Sequence, residues 1–225
     1  MKMSFKWLAL MGLIINIFAF SAWGCAQNDK NGQSGRDILL PTPAGSLDTE
    51  LVRALKSRHS TRDFQDREVS LKDLSTVLWA GDGVNRENGK RTAPTPFGKY
   101  VIDIYVTMKE GVFLYQPNEN KLRLIADDPI NNKAGMQGDT KKASHLLILI
   151  GKPNEFPFFV KKEGRISMIN AAAGCIAQNI YLAANAMGLG TRLVEGINAK
   201  AIQSGLRLKK DEVPLYIMPL GYPKE

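Results

Sequence analysis

Two arginines enclose a histidine, a serine and a threonine at Arg58-His59-Ser60-Thr61-Arg62. Guanidinium groups grip phosphates through paired, charge-assisted hydrogen bonds, and a hydroxyl between them adds a short neutral one. The pentapeptide therefore reads as an anion site. A solvated basic patch is the simpler alternative, because cations are mildly favoured where a helix ends. The pentapeptide alone leaves both readings open. Nothing else in the chain offers side-chain catalysis: no Ser/His/Asp arrangement or paired carboxylates stand out. No Cys-x-x-Cys, His/Cys cluster or His-Glu-x-x-His occurs, and His59 and His145 are the only histidines, so no metal site is expected.

The elements that must position these residues follow from periodicity. Leu47, Leu51, Val52 and Leu55 have helical spacing and lead into the basic cluster. Ser70 with Asp73 three places on opens a second amphipathic helix through Leu71, Leu74, Val77 and Leu78, closed by Gly81. Residues 81–96, rich in Gly, Asn, Arg and Pro, form a loop. Strands are expected at 100–108, at 113–115 and 122–124 around the turn Pro117-Asn118-Glu119-Asn120, at 145–150 and at 213–220. Ile166 to Met187 is the longest helix, with Gly188 as its C′ glycine. Its small residues (Ala171, Ala172, Ala173, Gly174, Ala177) leave one face smooth, while Asn170, Gln178, Asn179 and Asn185 argue against a membrane span. A short strand at 191–194 and a helix at 199–204 complete the pattern. Helices and strands mix without regular βαβ alternation, which predicts an α+β domain. Cys175 is expected to be buried, inert helix packing, and His145 a structural residue.

The bulk numbers restrict the function classes. With 225 residues, 44% apolar and 23% charged, the chain has the composition of a globular protein able to bury a core. Its formal charge of +8 comes from scattered lysines and arginines and not from a basic run, so nucleic-acid binding is not expected. Residues 1–24 read as a secretory signal, with Lys2 and Lys6 before an apolar stretch. Ser21-Ala22-Trp23-Gly24-Cys25 resembles a loose bacterial lipobox, which would make Cys25 a lipidation site; cleavage by ordinary signal peptidase after Ala26 and an uncleaved anchor helix are the alternatives. Residues 25–45 are polar enough to serve as a flexible tether, and 46–225 form the folded domain. The chain is thus expected to be exported and held at a bacterial membrane, on the periplasmic or cell-surface side.

Four stretches, in order, carry a family resemblance. Ala54 to Phe64 is similar to the N-terminal flavin motif of the FMN-dependent nitroreductase family. Thr92-Ala93-Pro94-Thr95 resembles its Ala-Pro-Ser loop, with Thr in the third place. Ala183 to Thr191 resembles the end of its central helix, and Pro219-Leu220-Gly221-Tyr222-Pro223 its closing Gly-Tyr-Pro. Gly111 to Pro117, followed by Leu122, is similar to the thiazoline/oxazoline dehydrogenase branch. Leu193-Val194-Glu195-Gly196 is closer to the wording of classical nitroreductases.

The resemblance implies a mixed or antiparallel sheet flanked by helices, in an intertwined homodimer binding FMN. Arg58, Ser60 and Arg62 would meet the phosphate, ribityl chain and pyrimidine edge, with His59 adding backbone or ring contacts. Pro94 and Thr95 would touch the flavin ring, and the backbone N–H groups of Glu195 and Gly196 would approach it near N5. No side chain need be catalytic, because the cofactor carries the electrons. The implied enzyme is an FMN-dependent oxidoreductase working by ping-pong chemistry. NAD(P)H is a candidate reductant, and an electron-poor small molecule such as a nitroaromatic or quinone the acceptor. A non-catalytic flavin-fold lipoprotein and an azoline-type dehydrogenase of a modified peptide are the rival readings. Export sharpens one question, since NAD(P)H is scarce outside the cytoplasm.

Overall fold

The computed structural model describes Leu40 and residues 49–224. The expected signal, the lipobox at Cys25 and nearly all of the tether lie outside these residues. The described chain forms one six-stranded antiparallel sheet in the order β3-β2-β1-β4-β6-β5. The strands are β1 (Ile102–Met108), β2 (Gly111–Gln116), β3 (Lys121–Ala126), β4 (His145–Gly151), β5 (Gly190–Thr191) and β6 (Val213–Gly221). The helices are α1 (Glu50–Ser57), α2 (Leu71–Asp82), α3 (Asn131–Ala134), α4 (Lys162–Ala186) and α5 (Ala199–Gly205). The expected α+β class is the one observed.

Alternation along the central strands builds two cores, one on each face of the sheet. Ile102, Ile104 and Val106 of β1, with Leu147 and Leu149 of β4, face α2 and α4. Tyr105 of β1, with Leu146, Ile148 and Ile150 of β4, faces the layer of α3 and α5. β4 is buried along its whole length, as its unbroken apolar run predicts. In α4, Ile169, Ile176 and Ile180 are almost completely buried. Each contributes about 1.5–3 kcal/mol through removal from water. By length and composition α4 could cross a membrane, yet this stripe is spent on the core of the domain.

Two helix ends follow directly from sequence. The Ser70 hydroxyl accepts the Asp73 N–H at 3.1 Å and caps α2. Past α4, Gly188 has φ of +70°, Leu189 N donates to Ala184 O at 2.8 Å and Gly188 N to Asn185 O at 3.2 Å. This is the Schellman closure that a glycine permits most readily.

Other expectations need correction. α4 starts at Lys162, one turn earlier than the apolar pattern suggested. The strand expected at 191–194 is reduced to Gly190–Thr191 plus an isolated bridge between Val194 and Ile217. α1 buries only Ala54, while Leu51 and Leu55 are more than half exposed. Their stripe points away from α4, against which the small Ala54 side is packed. Cys175 is exposed, not buried. Helical spacing puts it beside Ala171, Gly174 and Gln178 on the outer side of α4, which is also exposed. His145 is buried at the start of β4, with the Ser144 hydroxyl 2.9 Å from its Nδ1, and burial lowers its pKa.

Candidate functional site

The segment after α1 runs extended between β5 and the end of the chain. Thr61 N donates to Thr191 O at 3.1 Å, Gln65 N to Tyr222 O at 2.8 Å and Lys224 N to Asp63 O at 3.0 Å. Phe64 and Pro223 form an antiparallel bridge. Space, too, is matched: a Cβ on Gly190 would stand 2.6 Å from the Thr61 side chain, so this strand can approach the segment only as glycine. Three stretches that are far apart in sequence, 58–64, 190–191 and 221–224, are therefore one local structure.

On this frame the side chains converge on Tyr181 of α4. The Ser60 hydroxyl lies 3.2 Å from the Tyr181 hydroxyl, which accepts the Leu193 N–H at 2.7 Å. The Arg58 guanidinium sits over the Tyr181 ring, 5.2 Å from its centroid. One turn on in α4, Asn185 donates to Ala54 O at 3.2 Å and to the Ser57 hydroxyl at 2.6 Å, fixing the end of α1. His59 Nδ1 is 2.9 Å from Ser57 O, and since a carbonyl only accepts, Nδ1 carries the proton. Neither Arg58 nor Arg62 has a carboxylate partner among the described residues.

The loop after β5 forms the second wall. Val194 pairs with Ile217, Ile197 bridges Gly135, and Met136 N donates to Gly196 O at 3.0 Å. Among the described residues no acceptor meets the N–H of Glu195 or of Gly196. Arg192 is 6% exposed, and its guanidinium holds Asp139 in an ion pair at 2.6 Å and also binds Gln137 Oε1. With Oε1 so engaged, the Gln137 amide nitrogen is left to face Gly196, 3.4 Å from where a Cβ would stand there. Tyr181, Gln137 and Arg192 were not singled out from sequence. Their roles arise from where distant segments meet, and no local spacing announces that.

Pro94 and Thr95 lie elsewhere. The Thr95 hydroxyl donates to Lys99 O, and both residues adjoin Asp82, Tyr100 and Ile176. Among the described residues no hydrogen bond joins either of them to Arg58, Ser60 or Tyr181. Close by, the buried Asp82 pairs with the part-buried Arg91, whose guanidinium is 3.7 Å from the Tyr100 ring centroid. Burial raises the Asp82 carboxyl to about 6, against the opposing pull of Arg91. Next to this loop, Phe97, Phe158 and Phe159 are all more than half exposed and touch edge to face.

What this geometry can do is offer an anion two guanidinium groups without carboxylate partners among the described residues, one of them stacked on Tyr181, and a pair of hydroxyls, beside the two open backbone N–H groups of Glu195 and Gly196. Comparison with known proteins shows the family. The family model described as "Nitroreductase family" matches residues 55–222, most of the chain. A nitroreductase-family protein of Methanocaldococcus jannaschii is 29% identical over 181 residues, spanning 76% of this chain and 90% of its own. A nitroreductase-family crystal structure from Ralstonia eutropha superposes with a TM-score of 0.75 at 32% identity, covering 84% of this chain and 90% of that one. A chain of the Escherichia coli microcin synthetase complex shares the fold at a TM-score of 0.71 and 16% identity, over 85% of this chain and 77% of that one. By family model and by fold together, the chain belongs to the nitroreductase family of oxidoreductases.

Proposed function

We propose that the chain is an FMN-dependent oxidoreductase whose cofactor phosphate is held by Arg58 and Arg62. The observation that carries this reading is the contrast in charge pairing. The buried Arg192 and the largely covered Arg91 are each matched by a carboxylate, whereas Arg58 and Arg62, on one extended segment, have none among the described residues. Two open guanidinium groups with the Ser60 and Tyr181 hydroxyls between them suit a dianionic phosphate and a polyhydroxyl chain. The N–H groups of Glu195 and Gly196, and the Gln137 amide, suit the carbonyls and ring nitrogens of a flavin.

When bound, FMN would supply hydride chemistry at N5, taking electrons from a donor such as NAD(P)H and passing them in turn to a nitroaromatic or quinone-like acceptor. The chain's own residues would bind and orient. Arg58 and Arg62 neutralise the phosphate, and Ser60 and His59 fix the chain that joins it to the ring. Glu195 and Gly196 offer backbone donors that strengthen as negative charge builds on the ring. Pro94 and Thr95 belong to this reading through a second copy of the chain. The exposed outer side of α4 at Ala171, Gly174 and Gln178 is smooth enough for a twin helix to approach, and homodimerisation would bring one copy's loop to the other's flavin.

An exported, lipid-anchored protein is the proposed setting, with Cys25 as the acylated residue. The physiological donor would then be other than cytoplasmic NAD(P)H. Purified protein is expected to be yellow, to take up FMN at one per chain, and to lose the flavin absorbance on anaerobic reduction. Colourless protein that binds no FMN on titration would refute the enzyme reading. Sedimentation tests the dimer, and the intact mass of protein extracted from membranes tests acylation at Cys25.

A further inference from the structure

The sheet face opposite α4 holds a separate cavity of about 520 Å³, opening between β1–β3 and the end of α5. Its floor is one cross-strand row. Tyr105 of β1 pairs with Leu114 of β2, and Leu114 with Arg123 of β3, so the row passes from aromatic to aliphatic to cationic towards the sheet edge. Ile125 and Leu206 add apolar wall. Tyr105 is 6% exposed and lines the cavity, yet its hydroxyl has no hydrogen-bond partner among the described residues.

The mouth carries a second anomaly. α5 ends in the same closure as α4: Leu208 N donates to Gln203 O at 3.0 Å and Arg207 N to Ser204 O at 3.2 Å. The position that α4 gives to Gly188 is here Arg207, at φ of +52°. A side chain in the left-handed region is disfavoured, and glycine is the usual occupant. Held in this conformation, Arg207 lines the cavity.

The lining carries four cations and four carboxylates, and their hydrogen-bond pairing is uneven. Asp103 is matched by Lys152 at 2.7 Å, Asp211 accepts from Asn154 at 2.8 Å, and Glu212 accepts the Lys209 N–H at 2.8 Å. Glu155 is the one lining carboxylate without a partner among the described residues. Arg123, Arg207 and the Lys209 ammonium group have no carboxylate partner there. Among the described residues, three cationic groups are thus left without an ion pair beside Tyr105 and Leu114.

We propose that this cavity is a second ligand site, for a small amphipathic anion. The apolar body of the ligand lies on Tyr105 and Leu114, its carboxylate or sulfonate meets Arg123 and Arg207, and the Tyr105 hydroxyl donates to a second polar atom. The volume suits a molecule of one or two rings. Burial, with Asp103 and Glu212 close by, pushes the Tyr105 hydroxyl up to about 12, so it remains a donor throughout the physiological range.

Calorimetric titration of the full chain with naphthalene-2-sulfonate, with and without saturating FMN, tests the site. One-to-one binding is expected, unaffected by FMN and weakened by salt. Arg207→Gly should lower the affinity by about tenfold or more and at the same time raise Tm, because it relieves the left-handed strain. Tyr105→Phe should weaken binding severalfold with the fold intact. Gain of stability with loss of binding is a combination that a merely structural Arg207 would not give. The proposal is overturned if wild type fails to bind, if FMN competes, or if Arg207→Gly and Arg123→Ala both bind as wild type does. It is equally overturned if affinity is lost in Phe158→Ser, which would move the probe to the exposed aromatic patch.

Discussion

Arg192 and Arg58 stand on two sides of one corner of the fold and are treated in opposite ways. Arg192 is buried, paired with Asp139 and hydrogen-bonded to Gln137. Arg58 is half-buried, stacked on Tyr181, and has no carboxylate among the described residues. A charge withdrawn from water must be matched within the protein, and the match then holds backbone segments together. A charge left unmatched beside open solvent is one that a ligand can match. The first kind of arginine builds the corner, and the second equips it.

The comparison is most severely tested at Arg192. Arg192→Met strands Asp139 and unties Gln137, and is expected to cost about 3 kcal/mol or more in urea denaturation. Adding Asp139→Leu should recover much of that. Wild-type stability in the single variant would break the distinction between the two arginines. The other buried pair gives an effect of similar size that depends on pH. The Asp82 carboxyl, ordinarily at 3.8, is raised to about 6 in the folded chain, so the folded state holds this proton more tightly than the unfolded one. Its contribution therefore favours the fold at about pH 4 and below, and is lost as pH rises through about 6. Between these limits wild type should lose up to about 3 kcal/mol relative to Asp82→Asn. Parallel stability–pH curves for the two proteins would count against a raised pKa.

Arg58→Ala reverses the pattern. Little change in Tm is expected without flavin, while FMN affinity should fall by about 10- to 100-fold, the worth of a charge-assisted hydrogen bond. The same loss is expected for Arg62→Ala, and wild-type affinity in both would remove the phosphate role. Ser60→Ala should have the smallest effect, a roughly threefold to tenfold loss for one neutral hydrogen bond. An effect as large as that of Arg58→Ala would mean that Ser60 acts by holding Tyr181 in position.

Local chemistry made much of this legible in sequence. The Ser70 cap, the Gly188 closure, the buried β4 run and the hairpin around Pro117–Asn120 each depend on neighbours within a few residues. The basic segment at 58–62 stood out because two arginines and a serine lie together in the chain. Tyr181, Gln137 and Arg192 did not, since the first serves Ser60 from 121 residues away and the last reaches across 55 residues to Gln137. Leu51, Leu55 and Cys175 misled for a related reason. Helical spacing shows which residues share a face, but which face meets the rest of the chain is decided by the fold.

The pairing of Phe64 with Pro223 also sets an order of events. Gln65 and Pro223, which share a hydrogen bond beside that bridge, are 158 residues apart. Closing so long a loop comes late in folding, so the segment that carries the arginines is seated only after the intervening strands have paired. On the proposed flavin reading, cofactor capture would wait until the polypeptide has closed on itself. The flavin content of a preparation would then count finished molecules, and a truncation that removes only residues 221–224 should leave Arg58 and Arg62 intact in sequence yet without a cradle.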